Sequence, residues 1–486
     1  MIPGAPPRVL IIGGGIAGLS AAWHAEQLRT STGLPLHWTL VERAPRLGGK
    51  IKTDRIEGFV IEGGPDSFLA QKPWAAELAR QVGIGDQIMG TNEERRKVFV
   101  LQKGRLVPLP DGVMLIVPTR FLPFATSPLI SPLGKLRMAM DLFIPPRRDG
   151  ADETLAEFIQ RRLGEEALDK IAEPLMSGIH NAESDRQSIL ATFPRFRQIE
   201  AKHGSLIRGM LAARRARAVA GQDGASTSPF QTLRDGMEAL VDAVVARLPA
   251  DRLVVGRGVA GLERTDASTP RYRAILDDGR QIEADAVILA VPAYVAADLV
   301  RPFAPELARG LAQIRYVSTG TISLAFREAD LPRPLDGFGF VIPRSEKRQI
   351  NACTWTSSKF RHRAPNGYAL LRVFFGGSRH PELMELDDAA LIQIALNELR
   401  QIMGVTATPV LTRVFRWPQA NPQYDVGHLD RVAQLEASCP PGVFLTGSAY
   451  RGVGVPDCVR QGRQALEDAA HYLNGSISSQ QEEEKP

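Results

Sequence analysis

Val9-Leu10-Ile11-Ile12-Gly13-Gly14-Gly15-Ile16-Ala17-Gly18-Leu19 is the stretch on which the fold turns. Four apolar residues run straight into glycine, the mark of a buried strand ending in a turn. Apolar residues then return at Ile16, Leu19, Ala22, Trp23 and Ala25, near helical spacing, so a helix is predicted over about 16–29. A second strand, roughly Trp38 to Glu42, follows. Strand, glycine turn, helix and strand form the first half of a dinucleotide-binding fold. Gly13-Gly14-Gly15-Ile16-Ala17-Gly18 fits G-x-G-x-x-G. Gly13 permits the tight turn, Gly15 lets backbone approach a pyrophosphate, and Gly18 lets helix and strand pack closely. The helix start presents free N–H groups to phosphate charge. A bare glycine pattern could be only a structural turn. Here the context is right, and the Glu42 carboxylate can accept hydrogen bonds from both hydroxyls of an adenosine ribose.

Two further glycine-rich stretches lie downstream, Arg46-Leu47-Gly48-Gly49-Lys50 and Glu62-Gly63-Gly64-Pro65-Asp66-Ser67. Near the other end, Gly447-Ser448-Ala449-Tyr450-Arg451-Gly452-Val453-Gly454-Val455-Pro456-Asp457-Cys458 leads into a helix through Gly462 and Ala465. Small residues there allow close backbone approach, and the helix start offers N–H groups to a ligand. Arg43 and Lys50 read equally well as ligand contacts or surface charges.

The chain has 486 residues, 44% apolar and 23% charged, with net charge +5. Two or three globular units are expected at this length. The small basic excess suits an acidic small molecule or an anionic lipid surface. No basic stripe is interleaved with aromatics, so nucleic acid is not expected. Three cysteines, Cys353, Cys439 and Cys458, without CxxC spacing, imply neither a disulfide framework nor a zinc site and point to the cytoplasm. Met1 to Arg8 has no basic n-region, and no run of 18 apolar residues exists, so neither signal peptide nor transmembrane helix is expected.

Between the nucleotide motifs, residues 98–150 are apolar and broken by proline, which rules out one long helix. From Asp152 the pattern turns helical, with Leu155, Phe158, Ile159 and Leu163 on one face. Residues 211–228 read as a solvated loop. Asp285–Val291 and Val443–Leu445 read as buried strands, and residues 314–377 as a strand-rich block. The tail from Asn474 is expected to be disordered.

Several segments together resemble the HemY-type protoporphyrinogen or coproporphyrinogen oxidases. They are Val41-Glu42-Arg43, Leu47-Gly48-Gly49, Glu62 to Phe68, Phe193-Pro194-Arg195-Phe196 and Gly204-Ser205-Leu206-Ile207. Gly337 to Pro343, Ala352 to Thr356, Pro422 to His428 and Ala449 to Cys458 complete the set. The resemblance covers about residues 8–473. It implies an α/β plus α+β protein: a discontinuous Rossmann-like FAD-binding domain (1–90, 230–297 and 413–475), a strand-rich substrate domain (195–229 and 298–412), and a helical membrane-binding-type domain (91–194), with a disordered tail at 476–486. It implies noncovalent FAD held by Gly13, Gly14, Gly15, Ile16, Ala17, Gly18, Glu42, Arg43, Gly48, Gly49, Lys50, Gly64, Pro65, Asp66, Ser67, Val259, Trp417, Gly447, Val453, Gly454 and Val455. The implied reaction is six-electron oxidation of a porphyrinogen by dioxygen, with hydrogen peroxide formed, in haem biosynthesis. The implied partners are the porphyrinogen, dioxygen, the inner face of the cytoplasmic membrane and a haem-pathway chelatase.

The redox chemistry belongs to the flavin, so no catalytic side chain is expected. His180 and His428 are candidate bases only in the weak sense that any lone histidine is. Phe338, beside Gly339 and Val341, matches the family position whose ring packs on a pyrrole. Arg95, Arg96 and Lys97 are the candidate carboxylate anchors. Gly178 to Glu183 departs from the glycine-containing version expected there. A single cationic edge and an apolar wall at Gly337–Pro343 favour protoporphyrinogen IX, whose vinyl groups suit apolar surface, over coproporphyrinogen III. Arg344 and Lys359 are the residues that could supply the missing charges. A polyamine oxidase, a carotenoid desaturase and a non-catalytic flavin or porphyrin carrier are the competing readings.

Overall fold

The computed structural model describes residues 6–31, 36–110, 113–114, 117–118, 121–177, 182–219, 228–265 and 271–483. The first strand, Arg8–Ile12, sits inside a five-stranded sheet ordered Leu253–Val255, His37–Glu42, Arg8–Ile12, Ala286–Leu289, Val443–Leu445. Every neighbouring pair is parallel. Its side chains alternate between two cores. Val9 and Ile11 pack with the helix Ile16–Ser31 and the C-terminal helix Val455–Glu483. Leu10 and Ile12 pack with the helices Ala293–Val300 and Pro305–Ala312 on the other face. Burial on both faces is why this strand reads as a continuous apolar run. The sheet joins Arg8–Ile12 with Val443–Leu445, so it is built from segments far apart in sequence.

The second sheet has seven strands: Leu411–Pro422, Tyr316–Arg327, Tyr368–Gly376, Ala352–Trp355, Gly337–Val341, Lys97–Gln102 and Arg105–Pro108. One face, with Ile322, Leu324, Leu371, Val373 and Phe375, packs on the helix Asp388–Met403. A helical body packs on Val100 and Val341 of the opposite face through Phe158, Ile159, Ile171, Phe196, Leu206 and Met210. An ionic core braces that body: Arg162 and Asp141, both fully buried, pair with each other, while Glu200 takes Arg161 and Arg197.

Several expectations need correction. Residues 213–217, Ala-Arg-Arg-Ala-Arg, are helix and not loop. They belong to Leu206–Val219, because alanine and arginine are strong helix formers and Leu206, Ile207 and Met210 anchor the helix in the core. Residues 220–227 lie outside the described residues. The tail is helical as far as Glu483, continuing Val455–Glu483, where disorder was expected; its glutamines and glutamates propagate a helix already anchored by packing. Lys97–Gln102 and Arg105–Pro108, assigned from sequence to the helical domain, are sheet strands. Leu411–Pro422, assigned to the nucleotide domain from residue 413 on, belongs to the same seven-stranded sheet. Residues 195–219, assigned to the substrate domain, pack with the helical body. His180 and Gly178–Asn181 lie outside the described residues.

Candidate cofactor cradle and substrate wall

The glycine turn is held by close backbone approach. Gly13 has φ +108°, and an added Cβ would meet the Ala290 carbonyl oxygen at 2.5 Å. An added Cβ on Gly18 would meet the Gly13 carbonyl oxygen at 1.9 Å. On Gly15 it would meet nothing within 4 Å, so this glycine faces open space. Ile16 and Ala17 begin the helix and are buried. Glu42 accepts hydrogen bonds from the backbone N–H groups of Gly14 (2.6 Å) and Ala44 (2.7 Å). Arg257 N–H donates to the Glu42 carbonyl, and Gly258 lies against the Arg43 stem, which brings Val259 to the same end of the sheet.

The second glycine element docks on the first. Gly48 N–H donates to the Gly14 carbonyl at 2.8 Å, and Gly49 approaches Gly15. Gly64 fits only as glycine, since an added Cβ would meet the Lys50 carbonyl oxygen at 1.8 Å. Lys50 Nζ donates to the Ala420 carbonyl, and burial pushes its pKa down. Gly447 faces open space at the end of Val443–Leu445, and the N-terminus of the C-terminal helix begins at Val455, after Val453 and Gly454. An added Cβ on Gly462 would meet the Ala17 carbonyl oxygen at 2.0 Å, so the first and last helices cross in near contact. Open space over Gly15 and Gly447, the start of the first helix and an acceptor at Glu42 suit an extended dinucleotide diphosphate.

Gly63, Gly64, Pro65, Asp66 and Ser67 form the third element. Trp417 Nε1 donates to the Gly63 carbonyl at 2.8 Å. Arg372 donates to the carbonyls of Gly63 (3.1 Å) and Gly64 (2.6 Å). Ser67 donates to Asp66 at 2.6 Å, and Lys359 Nζ lies 3.0 Å from Asp66 Oδ2. Burial alone would raise the Asp66 pKa; the charges of Lys359 and Arg372 outweigh it and hold the carboxyl well below the usual carboxylate range. Arg372 was not singled out from sequence. Its signal was an arginine inside the apolar strand Tyr-Ala-Leu-Leu-Arg-Val-Phe-Phe-Gly, a charge that needs a buried partner. Two other contacts were also missed: Lys72 pairs with Asp457 at 2.6 Å, and the Tyr424 hydroxyl accepts from Gly452 N–H at 2.9 Å.

From Arg372 the wall can be traced by register. Residues directly opposite each other in a ladder share a face. Arg372 lies opposite Thr354, and Thr354 opposite Gly339. Phe374 lies opposite Ala352, and Ala352 opposite Val341. One sheet face therefore runs from the cradle to Gly339 and Val341. Gly339 has φ +126°, where the ladder is irregular between Gly337 and Gly339. Phe338 sits at this irregularity, half-buried and outside every core cluster, whereas Phe340 is in the core.

The expected anchors are largely engaged. Arg96 pairs with Glu93 at 2.7 Å and Lys97 with Asp336 at 2.7 Å; Arg95 donates to the Leu335 carbonyl. A second concentration of cations stands at the far end of the wall, where a cavity of about 360 Å³ is lined by Arg344, Lys347, Arg348, Arg379 and His380 with Glu183, Pro343 and Ser378. His428 is fully buried, stacked 3.9 Å from Tyr424, with Nε2 at 2.8 Å from the Tyr450 carbonyl. Burial pushes its pKa down to about 4. It supports the turn and is not placed as a base.

Residues 16–469 match the family of flavin containing amine oxidoreductases. A coproporphyrinogen III oxidase of Bacillus subtilis is 38% identical over 469 residues, covering 96% of this chain and 98% of its own. A chloroplastic protoporphyrinogen oxidase of Nicotiana tabacum is 27% identical, covering 97% and 87%. A crystal structure from Exiguobacterium sp. 255-15, named after protoporphyrinogen oxidase, superposes with TM-score 0.83 at 34% identity, covering 96% and 99%. The glycine cradle, the returning C-terminal helix and these likenesses over nearly the whole length agree: the chain belongs to the flavin-containing amine oxidoreductases and, among them, to the HemY-type porphyrinogen oxidases.

Proposed function

We propose that the protein oxidises coproporphyrinogen III to coproporphyrin III in haem biosynthesis, with noncovalent FAD as electron acceptor and dioxygen as re-oxidant. The observation that carries this is one sheet face leading from the Gly63–Asp66 turn, through Arg372, to a wall with Arg95 at one end and a cation-lined cavity beyond the other. The expectation of protoporphyrinogen IX rested on a single cationic edge and on an apolar wall at Gly337–Pro343. Most of that edge is neutralised, and the opposite end is richer in positive charge. The higher identity to the Bacillus coproporphyrinogen III oxidase than to the tobacco protoporphyrinogen oxidase supports the same choice.

In this reading Glu42 takes the ribose, Gly15 and the first helix start take the pyrophosphate, and the Gly447–Val455 segment takes the flavin's polar edge. Bound FAD supplies a two-electron acceptor that must be used three times per porphyrin. The protein's own part is positioning. Trp417 and Arg372 fix the Gly63–Gly64 turn, and Phe338, Gly339 and Val341 form the apolar surface against which the macrocycle lies. Packing of the macrocycle there holds the methine-bridge carbon near the acceptor. The test is anaerobic mixing of the yellow holoprotein with coproporphyrinogen III. Bleaching, then peroxide and porphyrin in a three-to-one ratio on admitting air, is expected. A flavin that neither bleaches nor turns over with either porphyrinogen overturns the proposal.

The helical body also offers a surface for peripheral contact with an anionic lipid surface. Leu133, Leu136, Met140 and Phe143 recur at helical spacing yet are exposed, Leu133 by 79% and Phe143 by 82%, and Leu122 is exposed close by in sequence. Apolar stripes normally face a core; a solvent-facing one marks an interaction surface. Lys135 and Arg208 donate to the carbonyls of Ala125, Ser127 and Leu142, and neither has an ion pair among the described residues. No helix among the described residues is long and apolar enough to cross a membrane.

A further inference from the structure

The strand Gly337–Val341 is bounded by charge. At its start Gly337 stands opposite Lys97. Five residues of strand span about 13 Å. Beyond its end come Ile342, Pro343 and Arg344, then the turn Arg344–Glu346 and Lys347. Arg379 is folded back onto this end and donates to the Ile342 carbonyl at 2.7 Å.

The cations here outnumber the carboxylates that meet them. Glu173, nearly buried in the helical body, lies 3.2 Å from Arg344 and 3.2 Å from Arg379, one carboxylate between two guanidinium groups. Arg348 is taken by Glu398 at 2.8 Å. Lys347 has no ion pair among the described residues. Glu183, the one acidic residue of the lining, is already engaged by Arg315 at 3.3 Å. Three of these cations meet Glu173 or Glu398 and Lys347 is left over; Asp169 adds a further negative charge near Arg379, and the lining itself holds four cationic side chains against one carboxylate. Lys347 adopts φ +51°, a left-handed conformation rare for a residue with a side chain, and lines this cavity. The cavity sits where the sheet end meets the helical body, since Ser345 bonds Asp169 and Arg344 bonds Glu173 across that junction. Its lining begins at Pro343, two residues along the chain from the wall residue Val341, on which the helical body packs.

We propose that this cavity receives propionate carboxylates of the tetrapyrrole, with Arg344 and Lys347 as direct partners and Arg379 held in place by Glu173 and Ile342. This rests on the porphyrinogen reading above and adds to it a second carboxylate site, opposite the Arg95–Lys97 end. A tetra-acid gains from Arg95 at one end and from this cavity at the other. A di-acid with vinyl groups at one end gains from one set only, so the cavity is a specificity device for coproporphyrinogen III. Guanidinium forks match carboxylates in two-point geometry, and a carboxylate left unpaired at this wall would be costly.

The experiment uses holoprotein with Arg344→Ala, Lys347→Ala and Lys347→Glu. Both side chains are exposed, and Glu173 keeps Arg379 when Arg344 is removed, so the variants are expected to keep the wild-type melting temperature and flavin spectrum. Two readouts are taken: KM and kcat with each porphyrinogen, and affinity for the product coproporphyrin III by fluorescence quenching, compared with protoporphyrin IX. The expected result is a rise of about tenfold or more in KM and in Kd for the coproporphyrin series. The change is greatest for Lys347→Glu, with kcat within about twofold and protoporphyrin IX binding little changed. Equal KM and equal coproporphyrin III affinity in wild type and all three variants overturn the cavity as a carboxylate site. Wild type that turns over neither porphyrinogen, yet loses coproporphyrin III binding in the variants, removes the oxidase reading and supports the cavity.

Discussion

Oε2 of Glu42 lies 2.6 Å from the backbone nitrogen of Gly14 and accepts its hydrogen bond. The carboxylate expected to meet a ribose is thus also the clasp that ties the end of the second strand to the glycine turn. Glu42→Ala should weaken FAD binding through both losses. A charge-assisted hydrogen bond contributes about 1.5–3 kcal/mol, so a loss of affinity of roughly tenfold or more is expected. Flavin retained on dialysis, compared between variant and wild type, measures it; equal retention would show that Glu42 does not hold the ribose.

Acid precipitation should release all the flavin as free FAD. Burial raises the Cys458 thiol to about 12 and His428 is packed against Tyr424, so neither side chain near the returning segment is a ready nucleophile for a flavin link. Flavin colour that stays with the pellet would contradict this.

The His428 ring gives the folded state an acid-sensitive element. Its folded pKa is about 4, below the ordinary 6.5, because burial disfavours the charged form. The unfolded chain takes up this proton first as pH falls. The contribution is therefore present above about pH 6.5 and is lost between pH 6.5 and pH 4, to a limit of about 3 kcal/mol. His428→Gln should flatten stability against pH in that window, read from urea unfolding at several pH values. An unchanged slope would place the acid sensitivity elsewhere.

Lys359 and Asp66 form a largely buried pair at 3.0 Å. Lys359→Met leaves the carboxylate with the more distant charges of Arg372 and Arg363 and should cost about 3 kcal/mol, the low end for a broken buried pair. Asp66 has a depressed pKa, so its contribution is present at neutral pH and is lost as pH falls below the unfolded carboxylate value toward the lower folded one. Lys359→Met with Asp66→Asn should recover part of the loss. A double variant no better than the single would mean that the pair is not coupled.

Co-sedimentation with vesicles containing anionic lipid should retain wild-type protein at low salt. Leu133→Asp with Phe143→Asp should release it while leaving the flavin spectrum and melting temperature unchanged, because both side chains already face solvent. Equal sedimentation of variant and wild type would assign the exposed stripe another partner.

The sequence alone determined the nucleotide turn, its flanking strands and the returning helix. Each is a local pattern: a strand buried on both faces is a continuous apolar run, and glycine stands where no Cβ fits, as at Gly13, Gly18 and Gly64. The helix from residue 155 was legible for the same reason, its buried face repeating at helical period. The solvated loop read at 211–228 failed because a charged surface helix and a solvated loop share a composition, and only Leu206, Ile207 and Met210 docking on the helical body separates them. Charge was the least legible property. Arg95, Arg96 and Lys97 are adjacent in sequence and look like one anchor, yet Glu93 and Asp336 engage two of them. Lys97 and Asp336 are far apart along the chain and meet only because their strands pair. Arg344, Lys347 and Arg379 come together through the same sheet, and Arg372 finds the carbonyls of Gly63 and Gly64 across more than three hundred residues. Pairing of charges depends on distances of a few ångströms between remote segments, and those distances exist only once the sheet has set its register.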